Sequence, residues 1–145
     1  MNFYHIQKIG VFLSYFLPIV AEATCSLSNT SIQFGGYNVF DPFPKNIVGT
    51  IEVNCAEVTH YNLKISTGAG SYQQRFMQNG SEQLNYNLYT DANRQIVWGD
   101  DFGQSSMQTA EHSGRMVHDV YGQIPARQNV LQGQYHDVLI LTLDY

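Results

Sequence analysis

Few residues in the stretch 24–145 have types that could do chemistry: Cys25 and Cys55, Asp100-Asp101, Ser105-Ser106, and His60, His112, His118 and His136. The two cysteines have no histidine near them, so a tetrahedral zinc site would lack ligands. The four histidines share no metal spacing, and each is expected at an exposed or half-exposed strand or loop position. Asp100-Asp101 would suit a carboxylate pair or a cation, but directly after Trp98-Gly99 they read as a solvated turn. The serines lack the setting of a nucleophile elbow, and there is no phosphate loop or dinucleotide fingerprint. Asn29-Thr30-Ser31 and Asn79-Gly80-Ser81 match the glycosylation triplet and read as turn composition. These patterns imply no catalytic residues, no metal and no cofactor; the chain is not expected to be an enzyme.

What the cysteines can do is pair, and the N-terminus bears on that. Lys8 gives residues 1–23 a weakly basic start, an apolar run follows over 9–20, and Ala21-Glu22-Ala23 puts small residues at −3 and −1. This is the layout of a secretory signal peptide, and the run is too short to span a bilayer. No later stretch is apolar enough for a transmembrane segment, and Cys25 is not preceded by a lipobox. The expected organisation is a signal peptide at 1–23 and one exported domain at 24–145. In an exported chain an even cysteine count reads as one disulfide, with two separate buried thiols as the alternative. A bridge would close a loop of about 31 residues, worth about 3.7 kcal/mol in chain entropy.

The formal net charge is −5, and losing Lys8 and Glu22 with the leader leaves it unchanged. With no Lys/Arg cluster, neither nucleic acid nor an anionic membrane is an expected partner. Only 13% of residues are charged, whereas Asn, Gln, Ser, Thr, Gly and Tyr are plentiful. That mixture suits strands and turns better than a helical bundle.

The elements that must position these residues are strands. Period-2 alternation recurs over 26–34, 47–55 (odd positions inward), 61–65, 84–88, 96–98, 116–124 and 134–145. Gly35-Gly36, Asp41-Pro42-Phe43-Pro44, Gly68-Ala69-Gly70 and Thr90-Asp91-Ala92-Asn93 punctuate them. Seven or eight short strands predict an all-β sandwich. At the C-terminus, Tyr135, Asp137, Leu139, Leu141, Leu143 and Tyr145 follow in steps of two. That series is either an ordinary central strand or one that pairs with a partner by strand addition. Tyr37, Phe40 and Phe43 around Asp41-Pro42 form a candidate contact loop, or else pack over an end of the sandwich.

Several segments resemble the spore coat protein U domain, a family that includes subunits of archaic, Csu-type chaperone–usher pili. They are Cys25-Ser-Leu-Ser, Phe34-Gly35, Gly49-Thr-Ile-Glu-Val-Asn-Cys55, Leu84-Asn-Tyr-Asn-Leu-Tyr-Thr-Asp91, Trp98-Gly99-Asp100, Val120-Tyr-Gly-Gln-Ile-Pro125 and Gly133-Gln-Tyr-His-Asp137. The resemblance covers essentially all of 24–145. It implies an immunoglobulin-like fold lacking one strand, with a Cys25–Cys55 bridge tying the first two strands. It also implies passage through the periplasm with a chaperone, export by an outer-membrane usher, and joining to neighbouring pilus subunits at the cell surface by donor-strand complementation. Leu139, Leu141, Leu143 and Tyr145 are then the residues that meet the chaperone or partner strand. The departure is at the N-terminus: cleavage after Ala23 leaves only Thr24 before Cys25, too short to donate a strand. A tip position is the expectation, with a surface-binding tip adhesin or a stand-alone secreted coat protein as the alternatives.

Overall fold

A computed structural model describes residues 24–28 and 30–145; the expected leader over 1–23 and Asn29 of the first Asn-Thr-Ser triplet lie outside them. Eight strands occur and, among the described residues, no helix: β1 Cys25–Ser28, β2 Lys45–Ile65, β3 Arg75–Asn79, β4 Glu82–Tyr89, β5 Val97–Trp98, β6 Ser105–Ser106, β7 Gln108–Ile124 and β8 Leu141–Asp144. The ladders run β1-β2-β7-β4-β5-β6, with β3 added to β4 and β8 to β2. All pairs are antiparallel except β5 with β6. The result is an immunoglobulin-like sandwich built from one continuous, folded sheet.

The long strand β2 is its spine. Ile51, Val53 and Cys55 are buried while Asn54 and Ala56 are exposed, as alternation requires. A register shift between Cys55 and Thr59 bends the ladder with β7, and Tyr61, Leu63 and Ile65 resume the inward face beyond it. The stretch expected as a separate strand over 61–65 is thus the second half of β2, redirected by a bulge. Opposite it stand Leu84, Tyr86 and Leu88 of β4, Val120 and Ile124 of β7, and Trp98, all buried. The Trp98 indole donates to Leu63 O at 3.0 Å. Cys25 lies directly across from Cys55 in the β1–β2 ladder, and the two form the disulfide.

Three strand expectations shift. The first ladder ends at Ser28: Ile32 and Phe34 keep the inward alternation but, among the described residues, enter no ladder. β7 begins at Gln108 rather than 116: its polar first half pairs with β2 but buries little, so no apolar alternation marks it. The terminal ladder is confined to Leu141–Asp144, preceded by a single bridge from His136 to Gln78.

His118 corrects a further expectation. It is buried, and its imidazole Nε2 lies 2.8 Å from the Tyr61 hydroxyl. A strand position facing the core becomes tolerable for histidine once that partner is supplied. Burial lowers its pKa below the ordinary value, so the folded chain favours neutral imidazole. As pH falls below about 6.5, the unfolded chain takes up the proton first. This contribution is therefore complete above that pH and is lost as pH drops toward the folded value. Urea melts between about pH 7 and 5.5 should show falling stability, and His118→Gln should flatten that slope; an unchanged slope would place the dependence elsewhere.

Candidate functional site

An open groove of about 1170 Å³ runs between two extended segments, 30–39 and 130–139. Buried core residues Leu84, Tyr86, Leu88 and Ile124 form its floor. Among the described residues, 30–37 enters no ladder, so one wall of the groove is a strand-like segment without a neighbour.

That first wall is held by side chains. Phe34 packs edge-on against Tyr86 with ring centroids 5.6 Å apart. It can lie there because residue 122 is glycine: a Cβ would run into Phe34 and Ile47. The Tyr37 hydroxyl donates to Pro125 O at 2.8 Å and accepts from Gln128 N at 2.9 Å. Gln128 in turn bonds both main-chain groups of Asn85, each at 2.8 Å.

The second wall is held by its main chain. His136 exchanges both hydrogen bonds with Gln78 of β3, at 2.8 and 3.1 Å. Ile140 N donates to Ser66 Oγ and Ile140 O accepts from Ser66 N, each at 2.9 Å. Further on, Thr142 and Asp144 stand opposite Lys64 and Asn62 of β2. Even-numbered residues thus turn toward β3, Ser66 and β2. In an extended chain successive residues present N–H and C=O to opposite sides. Tyr135, Asp137, Leu139, Leu141 and Leu143 therefore present theirs along the free edge.

Asp137 joins this wall to the floor. Its Oδ2 accepts from the Tyr86 hydroxyl at 2.7 Å, and its Oδ1 accepts from Ala69 N at 3.1 Å and Val138 N at 2.8 Å. Burial, then the hydrogen bond and charge of Asp137, push the Tyr86 phenol far above its ordinary pKa, so it stays a neutral donor. Among the described residues that line the groove, Asp137 and His136 are the only ionisable side chains other than tyrosines. Its apolar floor and open main-chain edge have the shape and chemistry that suit an extended segment with alternate apolar side chains.

The structure separates the residues singled out from sequence. Leu139 lines the groove, whereas Leu141 and Leu143 lie in β8 opposite Ile65 and Leu63, half-buried against the core. Tyr145 lies past the ladder and is 59% exposed. Tyr37 lines the groove, but Phe40 and Phe43 are 86% and 73% exposed, so packing of that pair over the end of the sandwich is overturned. Asx bonds stand their turn up: Phe40 N donates to Asn38 Oδ1 and Phe43 N to Asp41 Oδ1, both at 3.0 Å. Asp100 Oδ1 accepts from Phe102 N at 3.1 Å, an Asx turn, and Ser105 Oγ donates to Phe102 O at 2.8 Å. Among the described residues no three His, Cys, Asp or Glu gather as metal ligands do. Sequence reasoning missed Phe34, Tyr86 and Asp137 as groove residues. All three fall in stretches of period-2 alternation, but alternation does not say which positions face the core or which of those are left uncovered.

Comparison with known proteins gives likenesses of family, sequence and structure. The family model for the Spore Coat Protein U domain matches residues 13–142. Protein U of Myxococcus xanthus is 29% identical over 106 residues, which take in 67% of this chain and 59% of that protein. A chain in the crystal structure of the CsuC–CsuE chaperone–tip adhesion subunit pre-assembly complex of archaic chaperone-usher Csu pili from Acinetobacter baumannii superposes with a TM-score of 0.63. That match is 15% identical and covers 86% of this chain and 40% of the other. The P pilus rod subunit PapA superposes with a TM-score of 0.55 at 20% identity, covering 83% of this chain and 98% of PapA. At these identities the two structures speak to the fold.

Proposed function

The chain belongs to the spore coat protein U domain family, and from that premise we propose that it is a structural subunit of a chaperone–usher type surface fibre. Its groove accepts a strand from a neighbouring subunit, after a periplasmic chaperone has held it and before an outer-membrane usher passes it out. The observation that carries this reading is the free edge at Tyr135, Asp137 and Leu139 beside a groove floored by core side chains. An edge of that kind is a hazard when bare, and an added strand satisfies both its main chain and its apolar floor. The likeness of fold to fibre subunits supports the same reading.

Leu139→Lys tests it, because a lysine there can extend into solvent from an open groove and spare the fold. Co-purification with the periplasmic chaperone should be lost while the disulfide and strand spectrum persist. Retained co-purification would sink the proposal. The proposal extends to a tip position, since cleavage after Ala23 would leave only Thr24 ahead of Cys25. A mature N-terminus found well upstream of Ala23 by mass spectrometry would remove that extension. A second reading, a tip that also contacts apolar surfaces, is favoured by the exposed rings of Phe40 and Phe43. Unchanged adhesion to polystyrene by a Phe40→Ser, Phe43→Ser double variant would count against it.

A further inference from the structure

We propose that Asp137 is the positioning residue that holds the groove's receiving edge in the conformation an incoming strand needs. The inference rests on the strand-accepting reading of the groove. The terminal segment changes neighbours as it runs: His136 is bonded to β3, and Ile140 to Ser66 at the end of β2. Between them, among the described residues, 137–139 has no ladder partner on either side. Yet Asp137 and Leu139 are two of the residues whose N–H and C=O face the groove. An unpaired stretch of chain flexes in φ and ψ unless something else fixes it.

The Asp137 carboxylate supplies that fixation. It takes donors from three places at once: the Tyr86 hydroxyl in the floor, Ala69 N in the turn after β2, and Val138 N in its own segment. The turn is shaped to meet it. Gly68 sits at a left-handed φ of 62°, and a Cβ there would collide with the Asp137 carboxylate and the Leu139 side chain. The carboxylate thus spans the break between two ladders and keeps the odd-numbered edge facing outward. Such preorganisation lowers the ordering cost of strand addition and raises affinity without adding a contact to the partner.

The test uses the full mature chain and a labelled ten-residue peptide of alternating Val and Thr, with peptide affinity and urea stability read separately. Asp137→Ala should weaken peptide binding by about tenfold or more while unfolding stays cooperative. Asp137→Asn should recover most of that loss, because its oxygen accepts from the two amides and its NH₂ donates to the Tyr86 oxygen. A residue that merely supports the fold would move stability and leave affinity alone, so wild-type affinity in Asp137→Ala overturns the inference. Should Asp137→Ala not fold, Tyr86→Phe removes the floor's donor and keeps the ring; unchanged affinity there overturns it equally. If the wild-type chain takes up no peptide, the strand-accepting reading itself fails and the inference falls with it.

Discussion

Replacing Cys55 with alanine is expected to lower the free energy of unfolding by about 3.7 kcal/mol, the constraint of a loop of about 31 residues. For a domain with a net stability of about 5–15 kcal/mol that is a large share. The reason lies in β1, whose ladder with β2 is only four residues long and carries the cysteine at its first position. Without the bridge the ladder alone must hold β1, and segment 30–39 continues directly from it. The variant should therefore lose a wall of the groove as well as stability. Urea melts of wild type and Cys55→Ala check the first effect, and strand capture checks the second. Equal stability in the two proteins would refute the account of the bridge.

Arg75→Met should be comparably severe, at about 3–5 kcal/mol. Arg75 is wholly buried in β3, and among the described residues no carboxylate pairs with it directly. Its guanidinium donates instead to neutral acceptors: Ser66 O at 2.9 and 3.1 Å, Asn87 Oδ1 at 2.6 Å and Trp98 O at 2.7 Å. The Tyr72 ring lies 5.2 Å away on one side. Burial lowers the pKa of the guanidinium from its ordinary value, but a group that starts so high stays charged. Methionine of similar length would strip Ser66 O and Trp98 O of the guanidinium's donors and leave Asn87 Oδ1 with only Leu88 N. Because Ser66 also pins Ile140, the loss should loosen the terminal segment first. A denaturation midpoint within a few tenths of a molar of wild type would show that water replaces the guanidinium, and would contradict the assignment.

Arg75 also shows where sequence reading stops. The inward faces of β2 and β4 were legible because alternation and burial obey the same period, and the Cys25–Cys55 bridge was legible from cysteine number and export context. A strand whose inward position is an arginine carries no apolar signal, so β3 was passed over. β7 was truncated for the related reason that a strand can pair without burying. The terminal series was legible as alternating, but its division between a bridge at His136, a break at 137–139 and a ladder from Leu141 depends on which neighbours come within reach. The groove was legible only through family resemblance, since an uncovered floor looks in sequence like any other core. Phe40 and Phe43 stand out in solvent because Asx bonds and prolines shape their turn, a geometry composition alone did not decide between two readings.

The central claim is that a partner strand pairs with the odd-numbered edge of the terminal segment. Residue-resolved amide hydrogen exchange tests it most directly, comparing the isolated chain with the chain captured by its chaperone. Tyr135, Asp137 and Leu139 should exchange rapidly when the chain is alone and become strongly protected on capture, while His136 and Ile140, already bonded to Gln78 and Ser66, change little. Protection at Tyr135 and Leu139 in the isolated chain, or none gained on capture, would contradict the claim.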